Sequence, residues 1–226
     1  MTYKAVIFDL DGTLVNPLED LANAMNKALE IYNYPKHSYE AYQDFIGNGI
    51  RSLVAKALPE MYRDEAQIKR STESMIEIYR NHITDKTKPY DGIIDLLEHL
   101  KSQKLKLNVL SNKEHNLTKK VVKTLLPHYF EYVEGLSKEA HKKPNPIKAL
   151  EISKNLGIKP EEIIYVGDTG IDMETANNAN MFAVGVSWGF RTKKELIDNG
   201  AKLVINLPWE LNAVLKKADI MEEALF

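Results

Sequence analysis

Short apolar runs rich in β-branched residues alternate along this chain with stretches whose apolar residues recur every three or four positions. "AVIF" (5–8), "LKLNVL" (105–110), "EIIYVG" (162–167), "MFAVGVS" (181–187) and "KLVI" (202–205) read as strands. Between them, 91–101 sets Ile93, Leu96, Leu97 and Leu100 at helical spacing, and 144–156 does the same with Ile147, Leu150 and Ile152. Strands that alternate with helices imply βαβ crossovers, and so an α/β fold with a mostly parallel sheet covered on both faces. Ligands of such sheets gather beyond the carboxyl ends of the strands.

Residues 16–87 interrupt the alternation. Leu18, Leu21, Ala22, Met25 and Leu29 share one helical face, Ile50, Leu53, Val54, Ala57 and Leu58 share another, and a longer helix is expected over 64–82. The pattern predicts an all-helical domain inserted after the first strand. The chain returns to the sheet through "KPYDG" (88–92), where Pro and Gly permit a turn. The expected division is a Rossmann-like sheet core of 1–15 with 88–226 and an inserted helical domain of 16–87.

The composition is that of a globular protein, with 44% hydrophobic and 27% charged residues. A net charge of −2 gives no electrostatic reason to expect nucleic acid or an anionic membrane surface as a partner. The absence of cysteine excludes disulfides, thiolate metal sites and a cysteine nucleophile. No apolar run approaches the ~20 residues that span a bilayer. With no secretory pattern ahead of the first strand, a cytoplasmic location is expected.

Four polar clusters follow strands. In the first, Asp9 and Asp11 stand at i and i+2 before Gly12-Thr13, which puts two carboxylates on one side of an extended segment. Asp-Gly is also a common turn, but a turn needs one aspartate, and two would repel unless a cation or a shared proton intervened. The second cluster, "YVGDTGID" (165–172), supplies Asp168 and Asp172, either of which could cap a helix. If these strands share one parallel sheet, Asp9, Asp11 and Asp168 meet at one edge. Oxygen donors without His or Cys suit a hard cation such as Mg²⁺. In "VLSNK" (109–113), Ser111 and Asn112 are either helix caps or donors to a phosphoryl oxygen. In "HKKPNP" (141–146), a lysine before prolines is either solvated surface or a counter-charge for phosphate.

Together these residues resemble the motifs of the haloacid-dehalogenase-like (HAD) hydrolases, and specifically the phosphoglycolate-phosphatase-like branch. Asp9-Leu10-Asp11-Gly12-Thr13-Leu14 matches the first motif, Ser111-Asn112 the second, Lys143 the third, and Gly167-Asp168-Thr169-Gly170-Ile171-Asp172 the fourth. "FIGNGI" (45–50), "PYDGI" (89–93) and "GVSWGF" (185–190) extend the likeness over nearly the whole chain. The resemblance implies a Rossmann-like core with a helical cap that closes over the site. It implies a phosphatase of small-molecule phosphate monoesters working through an aspartyl-phosphate, with phosphoglycolate the leading candidate.

In that scheme Asp9 is the nucleophile and Asp11 the acid and base. Ser111 and Lys143 hold the phosphoryl oxygens, with Asn112 and Thr13 assisting. Mg²⁺ sits on Asp9, the backbone carbonyl of Asp11, and Asp168, while Asp172 supports Lys143 or a metal-bound water. Gly47, Asn48 and Gly49 in the cap are either a flexible turn or the loop that reads the substrate. Trp188-Gly189-Phe190 is read as an aromatic packing corner, and Tyr42 and Tyr79 as helix-face packing.

The resemblance departs at Asn16-Pro17, where many members carry Asp-Ser, and at Asn180, which replaces a usual glycine. A phosphosugar mutase of the same superfamily is the runner-up, although "FIGNGI" lacks the Ser-Arg pattern of that cap. A dehalogenase is disfavoured by Asp11, and a non-catalytic phospho-receiver by the inserted helices. Sugar phosphates, nucleotides, pyridoxal phosphate and pyrophosphate stay open as substrates. A monomer or homodimer is expected.

Overall fold

The structure is a computed structural model that describes residues 3–47 and 49–215. Asn48 and the tail "MEEALF" (221–226) lie outside the described residues. The chain divides into two compact units, residues 1–15 with 89–226, and residues 16–88.

The first unit is built on a six-stranded parallel sheet. Its strands are β1 (Ala5–Phe8), β4 (Lys106–Glu114), β5 (Tyr132–Leu136), β6 (Ile163–Gly167), β7 (Phe182–Val186) and β8 (Leu203–Ile205), in the order β5-β4-β1-β6-β7-β8. Every pairing is parallel, with Phe8 opposite both Val109 and Val166. Central strands of such a sheet are buried on both faces, so Val6, Ile7 and Phe8 form an unbroken apolar run instead of an alternating one. Helices α5 (Ile93–Ser102), α6 (His115–Leu125), α7 (Ile147–Leu156), α8 (Gly170–Asn178) and α9 (Lys193–Asp198) fill the crossovers. Successive strands run outward on either side of β1, so the strand order reverses there and a crevice opens beyond its carboxyl end.

Three features depart from the sequence reading. Strand β5 carries no long apolar run, because it is an edge strand and four of its five residues are only half-buried. Strand β4 continues through Ser111 and Asn112 to Glu114, and the cap of α6 is Glu114, whose carboxylate accepts from the backbone N–H of Asn116 and Leu117. In α7, Ala149, Ile152 and Ser153 are buried, while Ile147 and Leu150 are exposed.

The second unit contains α1 (Leu18–Ile31), α2 (Tyr39–Phe45), α3 (Ile50–Ala57) and α4 (Glu65–His82), with α1 and α3 both packed on α4. Leu21, Met25 and Leu29 of α1, Leu53 and Val54 of α3, and Tyr42 and Tyr79 are buried. Asp64 caps α4 by accepting from the Gln67 N–H at 2.9 Å. Asp20, also buried, accepts from the backbone N–H groups of Lys86 and Thr87 and from the Thr87 hydroxyl, at 2.7–3.0 Å. That carboxylate ties the first turn of α1 to the departing chain. Two short strands, β2 (Val15–Asn16) and β3 (Lys88–Pro89), pair where the chain passes between the units. Among the described residues no helix is long and apolar enough to cross a membrane.

Candidate active site

Four loops and strand ends of the sheet unit converge beyond β1. Asp9 continues the ladder, its N–H donating to the Val166 carbonyl at 2.9 Å. The chain then turns at once, with Leu14 N–H and Val15 N–H both bonded to Leu10 O and Gly12 N–H to Val15 O. Gly12 lies in the left-handed region (φ +92°), and a Cβ there would stand 2.3 Å from Asp168 Oδ2. Glycine is required at this position on both counts.

Lys143 is 5% exposed and delivers its ammonium to three acceptors: Asp9 Oδ1 at 2.8 Å, Asp172 Oδ1 at 2.6 Å and the Leu110 carbonyl at 3.2 Å. These account for the three N–H bonds an ammonium can make. Asn112 grips the main chain of the same lysine, accepting from its N–H at 2.8 Å and donating to its carbonyl at 3.3 Å. Asp172 is held on its other oxygen by Thr169, through N–H and hydroxyl, in a capping box that starts α8. Asp168 accepts from the Thr13 hydroxyl at 3.2 Å and from the Phe190 N–H at 2.9 Å. The Ser111 hydroxyl accepts from Lys113 N–H at 3.2 Å.

The electrostatics follow from burial. Desolvation pushes the Asp9 carboxyl up to about 7, opposed by Lys143 and reinforced by the neighbouring Asp172 and Asp11. Asp168 is raised well above the usual carboxylate range, first by burial and then by the charges of Asp172 and Asp9. Burial lowers the proton affinity of Lys143, but Asp172 and Asp9 outweigh it and hold the ammonium well above its ordinary value. This lysine is therefore a fixed positive charge.

Asp9, Asp168 and Asp172 each offer an oxygen within 4.8 Å of the others, all three side chains being buried. Asp172 is committed to the charged Lys143 and to Thr169, whereas the partners of Asp168 among the described residues, the Thr13 hydroxyl and the Phe190 N–H, are neutral, so Asp9 and Asp168 are the pair better suited to face a cation. An oxygen-only donor set whose Asp9 and Asp168 carboxyls are raised by burial and by neighbouring carboxylates fits a hard divalent ion, because such an ion favours their ionised form.

Asp9, Asp11, Thr13, Ser111, Asn112, Lys143, Asp168 and Asp172 all lie in the sheet unit. Gly47 (φ +113°) and Gly49 (φ +87°) belong to the helical unit, where a Cβ at Gly49 would meet nothing within 4 Å.

Three participants escaped the sequence reading. Lys113 is buried and its ammonium pairs with Asp11 Oδ2. Strand alternation gave no signal for it, because the pairing of β4 is irregular between Leu110 and Glu114. Trp188 does more than pack, donating its indole N–H to the Thr13 carbonyl at 3.0 Å. Phe190 contributes its backbone N–H to Asp168, and Gly189 leaves room for that carboxylate, a Cβ there falling 2.3 Å from Asp168 Cβ.

Residues 6–186 match the haloacid dehalogenase-like hydrolases, and the chain belongs to that family, in its phosphoglycolate-phosphatase-like branch. It is a phosphatase of the family, whose members generally use Mg²⁺. A phosphoglycolate phosphatase of Chromobacterium violaceum is 35% identical over 217 residues, covering 94% of this chain and 96% of its own. Another from Aquifex aeolicus is 34% identical over 192 residues, or 83% and 86%. The solved structure of a Lactobacillus delbrueckii subsp. bulgaricus protein, provisionally assigned to the phosphoglycolate phosphatases, superposes with a TM-score of 0.88. It is 30% identical and the match covers 95% of this chain and 99% of that one.

Proposed function

We propose that the chain is a Mg²⁺-dependent phosphatase of small phosphate monoesters, that it works through an aspartyl-phosphate on Asp9, and that phosphoglycolate is its substrate. The observation that carries this reading is the placement of Asp9. It is a buried carboxylate tethered on one oxygen by a permanently charged lysine and crowded by Asp168 and Asp172. Such a group is unfavourable as structure and apt as a nucleophile.

Asp9 attacks phosphorus in line, and Lys143, exchanging one of its three present acceptors for the substrate, holds the phosphoryl oxygens with the Ser111 hydroxyl. Asp11 gives a proton to the departing oxygen and takes one from the water that hydrolyses the intermediate. Asn112 fixes Lys143 through its main chain, Asp172 and Thr169 fix its ammonium, and Thr13 steadies Asp168. Mg²⁺, held by Asp9, the Asp11 carbonyl and Asp168, would neutralise the carboxylates against the incoming anion. The helical unit serves as a cap whose loop at Gly47, Asn48 and Gly49 reads the substrate. The names of the relatives support phosphoglycolate. The enzyme would act on a free metabolite in the cytoplasm, as a monomer or homodimer, without nucleic acid or membrane.

The test is a kcat/KM panel of phosphoglycolate, sugar phosphates, nucleoside monophosphates, pyridoxal phosphate and pyrophosphate, with Mg²⁺ and with EDTA. Repeated turnover that EDTA abolishes, with phosphoglycolate the best substrate, is expected. A single labelling event without turnover would refute the phosphatase mechanism, and a different best substrate would refute the assignment of phosphoglycolate.

A further inference from the structure

We propose that Lys113 positions Asp11, occupying Oδ2 so that the proton exchanged with the leaving group and with water is confined to Oδ1. This rests on the acid–base role given to Asp11 above. The tight turn after Asp9 fixes the main chain of Asp11 but leaves its side-chain torsions open. Lys113 supplies the missing constraint through its pairing with Oδ2, at a site where the lysine side chain is 3% exposed. Asp11 Oδ1 is buried and, among the described residues, has no hydrogen-bond partner. A buried carboxylate oxygen without a partner points to a group that arrives with the substrate.

Lys113 is itself anchored. Its N–H donates to Ser111 Oγ, its carbonyl accepts from the Thr118 hydroxyl at 3.1 Å, and a Cβ at Gly135 would lie 2.7 Å from that carbonyl. Packing alone calls for an apolar residue at this buried point of β4, as at Leu107 and Val109. A buried lysine there is sustained by its anion.

The proton balance closes on one oxygen. As Asp9 bonds to phosphorus and the ester P–O bond breaks, Oδ1–H protonates the leaving oxygen. A water then returns a proton to Oδ1 while its oxygen attacks phosphorus, the P–O bond to Asp9 breaks, and inorganic phosphate leaves.

The readout is leaving-group dependence. An alkyl ester such as phosphoglycolate needs its leaving oxygen protonated, whereas p-nitrophenyl phosphate hardly does, and kcat/KM reports only the steps through transfer to Asp9. Asp11→Asn is expected to depress kcat/KM for phosphoglycolate far more than for p-nitrophenyl phosphate. Lys113→Met is expected to reproduce that selectivity, with at least about a tenfold larger loss on phosphoglycolate. Lys113→Gln, which keeps a polar head, is read in the same way should the methionine variant not fold. The chain has no cysteine, so Lys113→Cys treated with 2-bromoethylamine rebuilds a lysine isostere at one site and should restore the ratio. Equal losses on both substrates, or no loss, would overturn the role of Lys113 while leaving that of Asp11 intact. If Asp11→Asn shows no leaving-group selectivity, the acid–base reading falls and this inference with it.

Discussion

The two units of the chain bury aspartate in opposite ways. In the helical unit Asp20 is enclosed by neutral donors, two backbone N–H groups and a hydroxyl, and no other carboxylate is among its partners. In the sheet unit Asp9, Asp168 and Asp172 have neutral donors in part but also crowd one another within 4.8 Å, with one lysine reaching two of them. The first arrangement is finished and holds a chain segment in place. The second leaves carboxylates crowded in a buried site, the arrangement that the proposed cation and phosphate would relieve. Burial of a charge does not separate structure from chemistry; what surrounds the charge does.

The contrast can be broken most severely at Asp9. Asp9→Asn keeps the shape of the site and removes the proposed nucleophile, so kcat for p-nitrophenyl phosphate with Mg²⁺ should fall on the order of a thousandfold or more. The melting temperature should hold or rise, since one crowded charge is gone.

A second effect appears as pH dependence. Asp9 and Asp168 ionise at higher pH when folded than when unfolded. Below the ordinary carboxylate value both states are protonated and nothing is lost. For Asp9 the unfolded chain releases its proton first from about pH 4 to about pH 7, so its part in metal-free stability declines by up to about 4 kcal/mol, and Asp168 acts in the same direction. Mg²⁺ bound as proposed would favour the ionised pair, so melting curves with EDTA and with Mg²⁺ should separate more at pH 8 than at pH 5.

Asp20→Ala reverses the outcome expected at Asp9. It strands two backbone N–H groups and should cost about 2 to 3 kcal/mol in urea unfolding, with the chemical step unaltered in the folded fraction. Trp188→Phe is the mildest change. It removes one hydrogen bond to the Thr13 carbonyl, about 1 kcal/mol, and should alter kcat/KM by no more than a few fold.

Legibility in the sequence followed the same division. Strands β1, β6 and β7 declared themselves because a parallel sheet's interior demands uninterrupted apolar residues. Strand β5 did not, since an edge strand meets solvent and carries Glu134 and Tyr132 among its five residues. Asp9, Asp11 and Asp168 were readable as carboxylates leaving buried strands. Lys113 and Trp188 were not, because each acts on a partner far along the chain, at separations of 102 and 175 residues. Asn112 could be placed at the site but not given its contact, which depends on where the loop before Pro144 returns.

That contact reaches beyond mechanics. Because Asn112 grips main-chain atoms of Lys143, the contact does not depend on which side chain stands at 143. A substitution at 112 loosens that loop whatever residue occupies 143, while a substitution at 143 leaves the contact in place. The constraint between the two positions therefore runs one way, from 112 to 143.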